Sequence, residues 1–186
     1  MKLYIKYMVS TRCKLMVKDE LERLGIIDAD VDIGEVKLKK DMPKAQKKEF
    51  NTALKKIGLL LIEDKRSILV EKIKHVVIKA IHYTDKALKV KFSDHLSRTL
   101  QYSYTYLSNI FSKTTGSTIE KLVIKHKIEK VKELIIYYEL TLTEIAYRLS
   151  YSSVAHLSNQ FKKVTGLTPT SFKRLEDKRR YGIENV

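Results

Sequence analysis

A single cysteine, Cys13, excludes an internal disulfide framework and a four-cysteine zinc site, and it fits a reducing compartment. Long apolar runs are missing too. The most apolar stretches, Leu59 to Ile62 and Val76 to Ile78, fall far short of the roughly 20 residues that span a bilayer. Lys6, Arg12 and Lys14 interrupt the apolar segment that an N-terminal signal peptide would need. A soluble, cytoplasmic protein without a membrane partner is therefore expected. None of the glycines builds a phosphate-cradling loop, and His75, His82, His95, His126 and His156 are not arranged with Cys13 by any motif. No enzyme, catalytic residue, metal ligand or cofactor is expected.

Positive charge, by contrast, is in excess. The 37 Lys and Arg against 22 Asp and Glu leave a formal +15 over 186 residues, of which +5 lies before Ser67 and +10 from Ser67 onward. An imbalance of this size attracts polyanions across a Debye length, so nucleic acid is the first partner to consider.

The chain also repeats itself. SYTYLSNIFSKTTGST from Ser103 and SVAHLSNQFKKVTGLT from Ser153 align at an offset of 50 residues without a gap, and nine of the sixteen positions are identical. In each copy leucine and phenylalanine recur at helical spacing, as Leu107, Ile110 and Phe111 or Leu157 and Phe161, and a glycine stands where a left-handed cap would end the helix. Upstream of the second copy, Thr141-x-x-Glu144 is a capping box for a short helix carrying Leu142, Ile145, Ala146 and Leu149 at i, i+3, i+4 and i+7. Ser93 to Leu100 is its weaker counterpart, with a turn one residue shorter. A short helix, a tight turn and a second helix with a polar outer face make a helix-turn-helix, whose second helix enters the major groove. Between the two units a Ser117-x-x-Glu120 capping box is expected to start a long helix from Ile119 to Tyr138. About 20 helical residues extend roughly 30 Å, close to the roughly 34 Å between successive turns of one groove. Thr168-Pro169 opens a last helix through Phe172 and Leu175.

Over Phe92 to Leu175 this pattern resembles the DNA-binding domain of AraC/XylS-type transcription regulators, which join two helix-turn-helix units by one long helix. Its most specific part is the second unit, with Ile145-Ala146, Leu149, Tyr151-Ser152, Leu157, Phe161, Gly166, Pro169 and Phe172. The resemblance implies base-facing positions at Tyr104, Thr105, Ser108 and Asn109 in the first unit, and at Val154, Ala155, Ser158 and Asn159 in the second. Asn pairs bidentately with adenine, and Val or Ala touches a thymine methyl. With no Arg among the eight, A/T-rich sites or DNA shape would carry the recognition. Lys113, Lys162 and Lys163 suit phosphates, which raise affinity and salt dependence without reading sequence. The partners implied are double-stranded DNA and RNA polymerase, with activation or repression as the mode of action.

The N-terminal segment reads as strand (Lys2 to Met8, with Leu3, Ile5 and Tyr7 on one face), helix (Thr11 to Leu24), two short strands around Gly34, a helix opened by Pro43, and a strand at Leu59 to Ile62. That order is a ferredoxin-like βαββαβ unit. Met8 to Cys13 weakly resembles the metal loop of heavy-metal-associated domains. Ser10 stands in place of its first cysteine, so no metal ligand is assigned. The fold class expected is α+β. A ferredoxin-like domain over 1–66, open to an effector, precedes a connecting helix over 67–84 and an all-α double helix-turn-helix domain over 85–186. An RNA-binding sheet is the main alternative, but Tyr4 and Tyr7 lie on opposite strand faces.

Overall fold

The computed structural model describes residues 1–84, 90–138 and 140–175. Of the domain expected over 85–186, residues 85–89, 139 and 176–186 lie outside the described residues. The chain divides into two compact units, Met1–His75 and Val76–Val186. It is a mixed α+β protein, with a small antiparallel sheet in the first unit and helices in the second.

The first unit runs β1 (Lys2–Lys6), α1 (Thr11–Arg23), β2 (Ala29–Asp32), β3 (Glu35–Leu38), α2 (Lys44–Lys56) and β4 (Leu60–Ile62), and ends in the first part of α3 (Lys65–His82). The strands are ordered β2-β3-β1-β4, and all three pairs are antiparallel. Alternation along β1 turns Leu3 and Ile5 into a core shared with Val17 and Leu21 of α1 and with Phe50 and Leu54 of α2. Tyr7, expected on that same face, is instead exposed, because the chain leaves the strand there with φ +68. Ser10 has a local task that explains its presence: its hydroxyl caps α1 by accepting from the Cys13 amide at 3.3 Å.

The first part of α3 meets the opposite sheet face at two points. Lys72 sets its ammonium 4.6 Å from the ring centroid of Tyr4, and the His75 ring lies against the β2–β3 turn at Gly34. Tyr4 is thus engaged by Lys72 within the unit.

The second unit contains the rest of α3 and then α4 (Phe92–Leu100), α5 (Tyr104–Thr115), α6 (Ile119–Tyr137), α7 (Leu142–Arg148), α8 (Val154–Thr165) and α9 (Pro169–Lys173). Its main core gathers Ile128, Val131, Leu134 and Ile135 of α6 around Ile145 and Ala146 of α7, Leu157 and Phe161 of α8, and Phe172 of α9. The small side chain of Ala146 lets α7 and α8 cross closely. Phe161 and Phe172 meet edge to face at 5.5 Å, the arrangement that aromatic quadrupoles favour. The α7 capping box is present, with Thr141 and Glu144 each accepting from the other's amide. The box expected at Ser117 is not. Thr118 caps α6 by accepting from the Lys121 amide, because the chain turns one residue later than the motif suggested.

Within this unit His82 of α3 and His126 of α6 share a hydrogen bond of 3.2 Å between Nε2 and Nδ1. Burial, then His82 and Lys125, push His126 down from its ordinary 6.5 to about 3. The folded protein therefore keeps it neutral where the unfolded chain would protonate it. The resulting stability is complete above pH 6.5 and is lost as pH falls toward 3. Between pH 7.5 and 5 the loss should reach about 2 kcal/mol. Urea midpoints at the two pH values would measure it, and His126→Gln should flatten most of the difference.

Candidate nucleic-acid interface

The internal repeat is also a repeat of structure. α4 ends on Gln101 with φ +60, and α7 is followed by Ser150 with φ +54. Two residues, Tyr102 and Ser103, then lead into α5, where three, Tyr151 to Ser153, lead into α8. The one-residue difference expected from sequence is thus absorbed in the turn. Ser103 and Ser153 cap the second helices by accepting from the amides of Tyr106 and His156. Both helices end on a glycine, with φ +69 at Gly116 and +80 at Gly166.

Six of the nine identical pairs are explained by folding alone. Ser103/Ser153 are caps, and Thr118/Thr168 cap the helices that follow. Leu107/Leu157 and Phe111/Phe161 are buried. Thr115/Thr165 donate to the carbonyls of Phe111 and Phe161 at 2.9 and 2.8 Å. Gly116/Gly166 end the helices. The three remaining pairs are Ser108/Ser158, Asn109/Asn159 and Lys113/Lys163, and among the described residues their side chains make no hydrogen bond or ion pair with the protein.

These residues share an outward stripe. On α5, Thr105 and Asn109 are exposed and Tyr104 and Ser108 half-buried; on α8, Ala155 and Asn159 are exposed and Val154 and Ser158 half-buried. Spacings of one, four and five residues from the helix start put each set on one stripe, whose half-buried edge runs beside the buried leucine and phenylalanine and whose other edge is exposed. Lys113, Lys162 and Lys163 are exposed near the helix C-termini. The eight expected base-facing residues thus form two equivalent stripes. Seven are free of side-chain contacts to polar groups among the described residues, and Tyr104 is not: its hydroxyl donates to Glu120 of α6. Sixteen residues separate the two, with no periodic signal to announce the pairing.

Sequence reasoning also missed how the turns are braced. In the first unit Tyr102 and Tyr106 stack at 5.2 Å. In the second, Ser152 and His156 hydrogen-bond at 3.0 Å, and the buried Tyr151 donates its hydroxyl to Gln160 at 2.8 Å. Lys127 of α6 lies 4.9 Å from the Tyr151 ring centroid, and burial lowers its pKa.

A family model described as a helix-turn-helix domain matches residues 96–175, from within α4 to just beyond α9. The xylose operon regulatory protein of Escherichia coli strain K12 is 30% identical over 101 residues, which are 52% of this chain and 25% of that one. An HTH-type transcriptional regulator of Pseudoalteromonas carrageenovora is 31% identical over 81 residues, 44% of this chain and 48% of that protein. The C-terminal domain of AraT, a response regulator from Geobacillus stearothermophilus, superposes with a TM-score of 0.52 at 25% identity, covering 64% of this chain and 92% of that domain. The helical unit is a helix-turn-helix domain similar to those of these transcription regulators. In this unit, α4 with α5 and α7 with α8 are the two helix-turn-helix elements, and α6 joins them. The chain spans a quarter to about half the length of these curated relatives, so the likeness is one of domain rather than of whole protein. Among the described residues no helix is long and apolar enough to cross a membrane.

Proposed function

We propose that the chain is a sequence-specific DNA-binding transcription regulator that inserts α5 and α8 into adjacent major grooves of duplex DNA. The observation that carries this reading is the set of identities left over by folding. Two helices that share Ser, Asn and Lys at outward positions the fold does not use are equipped for the same external task. Asn109 and Asn159 would take adenines, Ser108 and Ser158 neighbouring base edges, and Tyr104, Thr105, Val154 and Ala155 the apolar edges of thymines. Lys113, Lys162 and Lys163 would hold phosphates. The 19 residues of α6 extend about 28 Å, which suits two grooves roughly one turn apart.

The N-terminal unit is on this reading a ferredoxin-like βαββαβ domain over about 1–66, supported by its strand order β2-β3-β1-β4. With α3 as the connector, it would take an effector and pass its state to the DNA-binding domain over 85–186. RNA polymerase is the partner this reading supplies for activation. The protein would act in the cytoplasm, by binding and not by catalysis.

Selection of bound duplexes from a random pool by the full chain tests the reading. It should enrich an A/T-containing site with two half-sites about one helical turn apart. A pool that emerges unenriched would show that the chain reads no sequence.

A further inference from the structure

The two helix-turn-helix elements match closely in caps, core and outward stripe, but one contact belongs to the first alone. Tyr104, the first residue of α5, gives its hydroxyl to Oε1 of Glu120, the second residue of α6. Fifty residues on, the same positions hold Val154 and Thr170, which cannot form this pair. Glu120 is exposed and meets no cation among the described residues, although the chain carries +15. The bond from Tyr104 lowers the pKa of Glu120, which therefore stays charged. Burial and the carboxylate raise that of the phenol, which keeps its proton. A negative charge is thus tied, through one tyrosine side chain, to the N-terminus of the helix that enters the first groove. The second element carries two exposed lysines on α8, Lys162 and Lys163, against the single Lys113 on α5, and has no acid at position 170.

A carboxylate at the start of a helix also suits the helix dipole, and a hydroxyl bond between α5 and α6 also braces the unit. Both roles are internal to the unit, and their loss shows in stability rather than in DNA affinity. A neutral amide still accepts from Tyr104, though less strongly than the carboxylate. Duplex DNA presents one phosphate charge per about 1.7 Å of axis, so a fixed anion within a Debye length of several phosphates weakens docking whatever the sequence.

Resting on the DNA-binding reading above, we propose that Glu120, held in place by Tyr104, makes docking of the first element conditional. On arbitrary duplex the second element is seated by its lysines, and the first stays off. At a matching site the base contacts of Thr105, Ser108 and Asn109 outweigh the repulsion, and both elements are seated.

Two substitutions separate charge from brace. Glu120→Gln keeps an acceptor for Tyr104 and removes the charge, whereas Tyr104→Phe removes the bond and keeps the charge. Binding of the full chain to a random-sequence 30-base-pair duplex would be titrated over a range of salt. Glu120→Gln should bind about threefold tighter at low salt, with a salt slope steeper by about one as phosphates beside the first element are neutralised. Tyr104→Phe keeps the carboxylate and should give no such steepening of the slope, whatever its own change of contact does to affinity. The transplant Val154→Tyr with Thr170→Glu should weaken binding to the same duplex. An unchanged Glu120→Gln titration, or a Tyr104→Phe effect with Glu120→Gln silent, makes the pair a brace only and overturns the proposal. A wild-type chain that binds no duplex at all overturns the underlying DNA-binding reading instead.

Discussion

Asn109→Ala and Asn159→Ala should each lower the preference for a selected site over random duplex by about 1–3 kcal/mol, which is roughly 5- to 150-fold. An asparagine amide offers a donor and an acceptor side by side, the pattern that matches the N6 and N7 edge of adenine in the major groove. Both amides are exposed and hydrogen-bond nothing else among the described residues, so the free protein has nothing to break before using them. Alanine is the better helix former, so neither substitution should weaken the fold. The two sites sit on different helices without a shared side-chain partner, and their effects should add. Competition binding with selected and scrambled duplexes reads the loss directly, and discrimination that survives the double substitution would reject the assigned role. Lys162→Ala with Lys163→Ala should behave differently. Affinity should fall on both duplexes, and the salt slope should flatten by about one for each phosphate no longer neutralised, with base preference nearly intact.

Gly34→Ala should damage the first unit more than any surface change, with an expected loss of several kcal/mol in urea unfolding. Two causes act together. The backbone at Gly34 has φ +72, where an L side chain costs about 1–2 kcal/mol. An added Cβ would also stand 1.6 Å from Cε1 and 2.2 Å from Nδ1 of the buried His75 ring, so either the ring or the β2–β3 turn must give way. The ring is the part of α3 that lies against this turn. Gly34→Ala combined with His75→Ala should regain the steric part of the loss and keep the backbone part. A single variant as stable as the wild type would mean that the turn and helix are not packed as described.

These two predictions draw on different kinds of knowledge. The asparagines were visible in the repeat itself: once Leu107 and Phe111 are set inward by helical period, Ser108 and Asn109 have to lie toward solvent. The His75–Gly34 contact joins residues 41 apart and follows from no local pattern. The same division runs through the rest of the molecule. Thr141 and Glu144 announced their helix because both halves of a capping box lie within one turn. Ser117 and Glu120 carried the same spacing and yet form no box. Thr118 had an equal local claim on the helix start, and the packing of Ile119 into the core decided between them. Tyr7 had the right parity for the sheet but follows the end of β1, where the backbone turns to φ +68.

Local chemistry thus settled, from the amino acids alone, the order of strands and helices, the twofold repeat with its caps and glycine ends, the positive charge, and the outward stripe of each repeated helix. Tertiary structure alone decided that Lys72 of α3 meets Tyr4 of β1, that His82 meets His126, and that the Tyr104 hydroxyl is taken by Glu120. The physical reason is range. Caps, turns and helical faces are set by side chains within about four residues of one another, whereas these contacts join residues 68, 44 and 16 apart, and only the packing of whole elements brings them together.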